Sequence, residues 1–274
     1  MTQTPTMLII GCGNMGGAML AGWLAGGFDP TAITVVDPLL EAVPEGVTLL
    51  RAVPERGAYE VVLLGFKPQQ LSQVAPGIAP VVDNATLVMS LLAGVELATL
   101  RAHFGAARLV VRVMPNLAAA IGKSPIGLVD DGDAVARDRV AALMAPLGRA
   151  EWLADEAQMD LLTALAGSGP AFVYRFIDAL ASGAAALGMD RAMADRLALA
   201  MVEGAAALAA ASPHGPRELA ERVASPGGVT RMGLDVLDAD QRLAELAKDT
   251  LRAAQTRSAE MALAARSPDL TNSR

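Results

Sequence analysis

The stretch Met7-Leu8-Ile9-Ile10-Gly11-Cys12-Gly13-Asn14-Met15-Gly16 decides how the rest of the chain is read. Four apolar residues lead into glycines spaced G-x-G-x-x-G, and the residues from Asn14 to Ala25 are small and apolar, suited to a packed helix. A strand entering such a loop and a helix leaving it form the opening of a βαβ unit that holds the pyrophosphate of a dinucleotide. Gly11 permits the tight turn, Gly13 lets the phosphates approach the backbone, and Gly16 lets helix and strand pack closely. Asn14 and Met15 lie within the same expected cofactor contact. Free N–H groups and the helix dipole at the helix start favour the phosphate charge. Without a ligand the same residues would be only a glycine-rich helix start; their place after a strand, at the head of a strand–helix series, selects the binding reading.

Further apolar runs follow at Ile33 to Val36, Val61 to Leu64, Leu87 to Leu92 and Leu109 to Met114, with shorter strands expected near Ile126 to Val129 and Glu151 to Leu153. They show little alternation, as strands covered on both faces do. Helical segments fit between most of them, for instance Leu71 to Ile78 and Leu97 to Phe104. The expected class is α/β: a Rossmann-like, doubly wound parallel sheet over residues 1–155. Asp37 ends the second run, at about the 20-residue remove at which an acid accepts hydrogen bonds from the adenosine ribose. Pro38 and Leu39 follow it, not an arginine, which leans toward NADH over NADPH without deciding between them. A turn aspartate is the competing reading.

Beyond about Asp155 the chain becomes rich in Ala and Leu at helical spacing. Helices are expected at Ala171 to Leu187, Asp190 to Ala211, Leu219 to Val223, Thr230 to Leu237 and Ala239 to Ala265, with a polar, frayed tail from Ser267 to Arg274. Residues 156–274 therefore read as a second, all-helical domain. Its many small residues let helices approach closely, so self-association through this domain is expected, as a homodimer or a higher homo-oligomer.

Composition excludes several classes. A net charge of −7 repels phosphate backbones, so no nucleic-acid partner is expected. One cysteine, Cys12, and two histidines far apart, His103 and His214, leave no disulfide and no metal site to expect. Met1 to Phe28 carries no charged side chain, yet glycines interrupt it and no basic residue precedes its apolar part. A strand, glycine turn and helix explain it better than a membrane span or signal peptide, and the cytoplasm follows as the expected location.

With these pieces in place the chain resembles the pyrroline-5-carboxylate reductase family over nearly its whole length. The resemblance is carried by the glycine loop with Asn14-Met15, by Val61-Val62-Leu63-Leu64 leading to Lys67-Pro68, and by Ser90 followed by Ala93-Gly94. It continues through Arg112-Val113-Met114-Pro115-Asn116, Thr163-Ala164-Leu165 with Gly167-Ser168-Gly169-Pro170-Ala171, and Ser225-Pro226-Gly227-Gly228-Val229-Thr230. The chain departs from the family pattern at Leu117-Ala118, where Thr-Pro is usual, at Val229, where a threonine is common, and at Gly65-Phe66, where Ala-Val is frequent.

In open α/β sheets ligands bind beyond the carboxyl ends of the strands. Phe66, Lys67, Pro68, Ala93, Gly94, Met114, Pro115 and Asn116 are thereby placed to line one cleft, and the resemblance assigns them to the ribose and nicotinamide side of the cofactor, NADPH or NADH. Glu156 matches a family position near that cofactor; a helix N-terminal acid is its plainer reading. The loop at Ser225, Gly227, Gly228, Val229 and Thr230 offers N–H groups and hydroxyls at a helix start, suited either to a small carboxylate or to a simple capped turn. The resemblance favours the substrate reading. It implies reduction of the cyclic imine Δ1-pyrroline-5-carboxylate to L-proline, with Thr230 as the catalytic hydroxyl near the imine nitrogen. Two alternatives stand beside it: a β-hydroxyacid-type dehydrogenase, and a non-catalytic NAD(P)-binding regulator. The chain has three lysines, Lys67, Lys123 and Lys248, and none directly follows Gly167-Ser168-Gly169, which counts against alcohol chemistry. A regulator has no need of a second small-anion site.

Overall fold

The structure is a computed structural model describing residues 4–132 and 134–266. It divides into two compact units: the chain up to Gly167 together with the stretch from Ala254, and Ser168–Ala253. The expected polar tail lies outside the described residues.

The first unit is built on one eight-stranded sheet. Its strands are β1 (Met7–Ile10), β2 (Ile33–Val36), β3 (Thr48–Leu50), β4 (Val61–Leu64), β5 (Leu87–Ser90), β6 (Leu109–Met114), β7 (Ser124–Asp130) and β8 (Gly148–Trp152). They lie in the order β3-β2-β1-β4-β5-β6-β7-β8. Every neighbouring pair is parallel except β6 and β7. Successive residues of one strand feed opposite sides of the sheet. Met7, Ile9, Leu63 and Met89 join one core with Met19 and Trp23 of helix α1 (Asn14–Ala25). Leu8, Ile10, Val62 and Val88 join another with Leu71 and Ile78 of α2 (Leu71–Ile78), and Leu100 of α3 (Leu97–His103). Both faces are covered, and that is why the strands read as unbroken apolar runs.

Three elements are additions to the sequence reading. β3 is a three-residue edge strand, half-exposed, with too little apolar pattern to stand out. After β6 a single 3-10 segment, Leu117–Ile121, returns the chain directly into β7. A connection that short permits only antiparallel pairing, since a parallel partner needs a crossover of a dozen or more residues. Helix α4 (Ala134–Met144) then carries the chain across, so β8 runs parallel to β7. Trp23 Nε1 donates to the Leu143 carbonyl at 2.8 Å, tying α1 to α4 inside the core.

The helical part comprises α5 (Met159–Leu162), α6 (Gly169–Ala186), α7 (Arg191–Ala211), α8 (Pro216–Arg222), α9 (Val229–Asp238) and α10 (Arg242–Arg266). The helix expected from Ala239 starts three residues later, because Asp240 and Gln241 take left-handed φ values of 53° and 56° that break it from α9. A π-helical segment, Thr163–Gly167, joins α5 to α6. In the second unit the buried apolar cluster consists of Ala181, Ala194 and Ala198, with Ile177 and Ala184 packed against it. Tyr174, Leu197, Leu208, Val236 and Leu246 are exposed.

Candidate active site

The glycine loop lies where the sheet order reverses, between β1 and β4. The Gly11 N–H donates to the Val36 carbonyl at 2.9 Å, and the Gly65 N–H to the Ile10 carbonyl at 2.8 Å, so the ends of β2, β1 and β4 are drawn together. Gly11 has φ +81°, and a Cβ there would lie 2.7 Å from the Phe66 nitrogen. A Cβ on Gly16 would lie 2.8 Å from the Gly11 carbonyl oxygen, whereas one on Gly13 would meet nothing within 4 Å. One glycine makes the turn, one lets helix meet loop, and the middle one borders open space. That is the division of labour a dinucleotide cradle requires. Gly13 is the N-cap of α1 and supplies no side-chain cap, which leaves the first N–H groups of the helix to an incoming phosphate. The chain therefore fits a dinucleotide at this loop. Cys12 is buried beneath it; burial, and then the charge of Asp37, push its thiol up to about 11, so it is a protonated filler at neutral pH.

Asp37 sits one residue past β2. Its Oδ2 accepts from the Cys12 N–H at 2.9 Å, and its Oδ1 accepts from the N–H groups of Leu39 and Leu40 at 2.9 and 3.1 Å. Partial burial opposes ionisation, but these bonds and the nearby Arg51 charge outweigh it and hold the carboxyl below the usual range. Asp37 is thus both a turn aspartate and a member of the glycine-loop assembly.

The other strand ends distribute their residues unevenly. Phe66 is half-buried against the core, and Lys67 is exposed where a 3-10 turn, Pro68–Gln70, begins. Ala93 is exposed, while Gly94, with φ +75°, faces α10: a Cβ there would lie 2.6 Å from the Ala262 Cα. Gly94 and Glu156 share a cavity of about 280 Å³ with Glu96, Arg112, Asp160 and Ala262. Within it Glu156 Oε1 accepts from Arg112 Nη1 at 2.7 Å and from the Leu97 N–H at 2.8 Å. Asp160 accepts from the Ser258 hydroxyl at 2.7 Å. Met114 lies beside Gly167, and Pro115 is buried. The Asn116 amide is held inside the protein: Nδ2 donates to the Ala166 carbonyl and Oδ1 accepts from the Ala118 N–H, each at 2.9 Å. It caps the 3-10 segment after β6 and anchors the π-helical turn.

The loop Ser225–Thr230 belongs to the second unit. Gly227 has φ +69°, and the Gly228 N–H closes the turn on the Ser225 carbonyl at 2.9 Å. Gly228 is the N-cap of α9, and no side chain caps this helix. Thr230, one residue inside α9, is not the capping threonine of the plainer reading; its side chain is exposed, as are Ser225 and Val229. Val229 is 93% exposed, so the loop closes without help from the side chain that departs from the family pattern.

A family model described as pyrroline-5-carboxylate reductase dimerisation matches residues 156–261, and one described as NADP oxidoreductase coenzyme F420-dependent matches residues 6–94. The pyrroline-5-carboxylate reductase of Pseudomonas aeruginosa is 36% identical over 268 residues, 95% of this chain and 98% of that protein. This chain belongs to the pyrroline-5-carboxylate reductase family. A solved pyrroline-5-carboxylate reductase from Coxiella burnetii superposes with a TM-score of 0.86 at 31% identity, covering 94% of this chain and 98% of that one. The fold extends to a Plasmodium falciparum pyrroline carboxylate reductase solved with NADP bound, with a TM-score of 0.80 at 22% identity over 95% and 99% of the two chains.

Within this pyrroline-5-carboxylate reductase family member, the structure brings two further residues, Arg112 and Arg51, to the site residues Glu156 and Asp37. Arg112 is the partner of Glu156; an arginine inside an otherwise apolar strand was a legible signal of a buried ion pair. Arg51 reaches Asp37 only because β3 pairs with β2, and nothing local announces it. Among the described residues, no group of three or more His, Cys, Asp or Glu could hold a metal ion. Nor is any single described helix long and apolar enough to cross a membrane.

Proposed function

We propose that this chain reduces Δ1-pyrroline-5-carboxylate to L-proline with NADPH or NADH, the last step of proline biosynthesis, as a cytoplasmic homodimer joined through its helical unit. The observation that carries this reading is the glycine cradle: a left-handed Gly11, a Gly13 bordering open space and a Gly16 packed on the loop, in a chain matched along its length by reductases of this name. A dihydronicotinamide held at this loop would supply the hydride for the imine carbon. The protein's own part is to hold the two reactants in register and exclude water. The Gly11–Gly16 loop and the start of α1 hold the pyrophosphate. The N–H groups of Gly227, Gly228 and Val229, with the hydroxyls of Ser225 and Thr230, receive the substrate carboxylate at the start of α9. Thr230 donates a hydrogen bond to the ring nitrogen, steadying the charge there, and solvent delivers the proton. No histidine or lysine is needed as an acid.

The test is NAD(P)H consumption on adding the imine, set against a 3-hydroxy acid with NAD(P)+. Turnover of the hydroxy acid in place of the imine would transfer the chain to alcohol chemistry. Thr230→Ala is expected to lower kcat by about 10- to 100-fold, the equivalent of one hydrogen bond to a charged group, and to leave nucleotide affinity unchanged. An undiminished rate would remove Thr230 from the mechanism.

The exposed apolar residues of the second unit support the dimer. Its melting temperature is expected to fall on dilution, since folding and association are linked. A melting temperature independent of concentration, with a monomeric mass by light scattering, would count against self-association.

A further inference from the structure

We propose that this chain prefers NADH to NADPH, and that Asp37 decides it: Asp37 takes a ribose hydroxyl and repels a 2′-phosphate, while Arg51 braces the turn beneath it instead of receiving that phosphate. This rests on the reading that the glycine loop holds a nicotinamide dinucleotide.

The pairing of β2 with β3 makes cofactor choice an open contest. Val36 is in register with Leu50, and the Asp37 N–H donates to the Leu50 carbonyl at 3.1 Å, so Arg51 stands directly beside Asp37. An acid at this strand end suits the ribose hydroxyls of NADH, and a neighbouring arginine suits the 2′-phosphate of NADPH. Both residue types are present, and their bonding decides between them.

Asp37 cannot withdraw. Its carboxylate is held by three backbone N–H groups, two on Oδ1 and one on Oδ2, so both oxygens are anchored. A carboxylate offers about four acceptor positions. The one left over is on Oδ2, the oxygen already bound to the glycine loop through Cys12. It can accept from one ribose hydroxyl. A 2′-phosphate has no such proton to give and would bring about two negative charges up to a fixed carboxylate.

Arg51 is drawn the other way. Its Nη1 donates to the backbone carbonyls of Asp37 at 3.0 Å and Leu40 at 2.5 Å, closing the turn in which Pro38 and the exposed Leu39 sit. To grip a phosphate from this position it would have to do so against the neighbouring Asp37 charge. No other basic residue occurs between Asp37 and Arg51.

The test is a pair of binding titrations, NADH and NADPH, followed by nicotinamide fluorescence, with kcat/KM for the imine as the second readout. The wild-type chain is expected to bind NADH about tenfold tighter or more, the scale of one unscreened unit-charge repulsion near a surface. Asp37→Asn removes the charge while keeping an acceptor oxygen, and should narrow the ratio by about tenfold through a gain in NADPH affinity. Asp37→Ser gives a second measurement should the first variant be unstable. Arg51→Gln should leave the NADH:NADPH ratio within about twofold. Equal or tighter binding of NADPH by the wild type overturns the proposal, as does a selective loss of NADPH affinity in Arg51→Gln. If the titrations favour NADH but the imine is not reduced, it is the proposed reaction that fails and the cofactor preference that stands. If neither nucleotide binds, both fall.

Discussion

Gly11→Ala is expected to abolish dinucleotide binding and to destabilise the first unit. The position has φ +81°, which an alanine adopts at a cost of about 1–2 kcal/mol. The added Cβ would also lie 2.7 to 2.9 Å from the backbone of Gly65 and Phe66, where no side chain can rotate away. Relief requires β1 and β4 to separate at their carboxyl ends, which breaks the Gly65 to Ile10 hydrogen bond and opens the cradle. The measurement is nucleotide titration alongside thermal unfolding. Gly13→Ala is the internal control: its Cβ would meet nothing in the protein. It should therefore leave the melting temperature nearly unchanged while still obstructing the phosphates. Gly11→Ala binding nucleotide as tightly as the unaltered chain would show that the loop is not the cofactor's seat.

Glu156→Ala should be strongly destabilising, at about 3 kcal/mol. The Arg112 side chain is only 7% exposed and has Glu156 as its carboxylate partner; Glu156 itself is 28% exposed. Removing the acid leaves a guanidinium inside the sheet without its counter-charge, and it strips the first N–H of α3, at Leu97, of its acceptor. A buried pair lost together costs less than one partner lost alone. The double variant Arg112→Met with Glu156→Met should therefore be more stable than Glu156→Ala. Chemical denaturation of the unaltered chain and the two variants checks this. A Glu156→Ala loss below about 1 kcal/mol would show the pair behaving as an exposed surface bridge.

The two predictions rest on different kinds of information. The consequences at Gly11 could be anticipated from the spacing of three glycines after an apolar run, because the φ requirement and the close approach are local properties of a strand–turn–helix. Glu156 was legible only through family likeness. Its bonds to Arg112 and Leu97 span 44 and 59 residues, and no local pattern reports a contact of that range. Asn116 makes the same point from the other side: its place after β6 suggested a cleft-lining side chain, yet the amide is occupied by Ala166 and Ala118. Strand-end position says where a residue sits; only packing says what its side chain is bonded to.

By itself the sequence determined the strand–glycine–helix opening, the parallel strands from β1 to β6 apart from the short β3, and the change to an Ala- and Leu-rich helical half, because burial on both faces and helical spacing write themselves into local composition. The tertiary structure alone decided that β7 turns back against β6, that Arg51 stands beside Asp37, and that Arg112 meets Glu156. Each of these arises from hydrogen bonds or charges between segments distant in the chain, whose energy depends on the completed sheet; Arg112 within an apolar strand signals the need for a counter-charge, but nothing in the neighbouring residues says which residue supplies it.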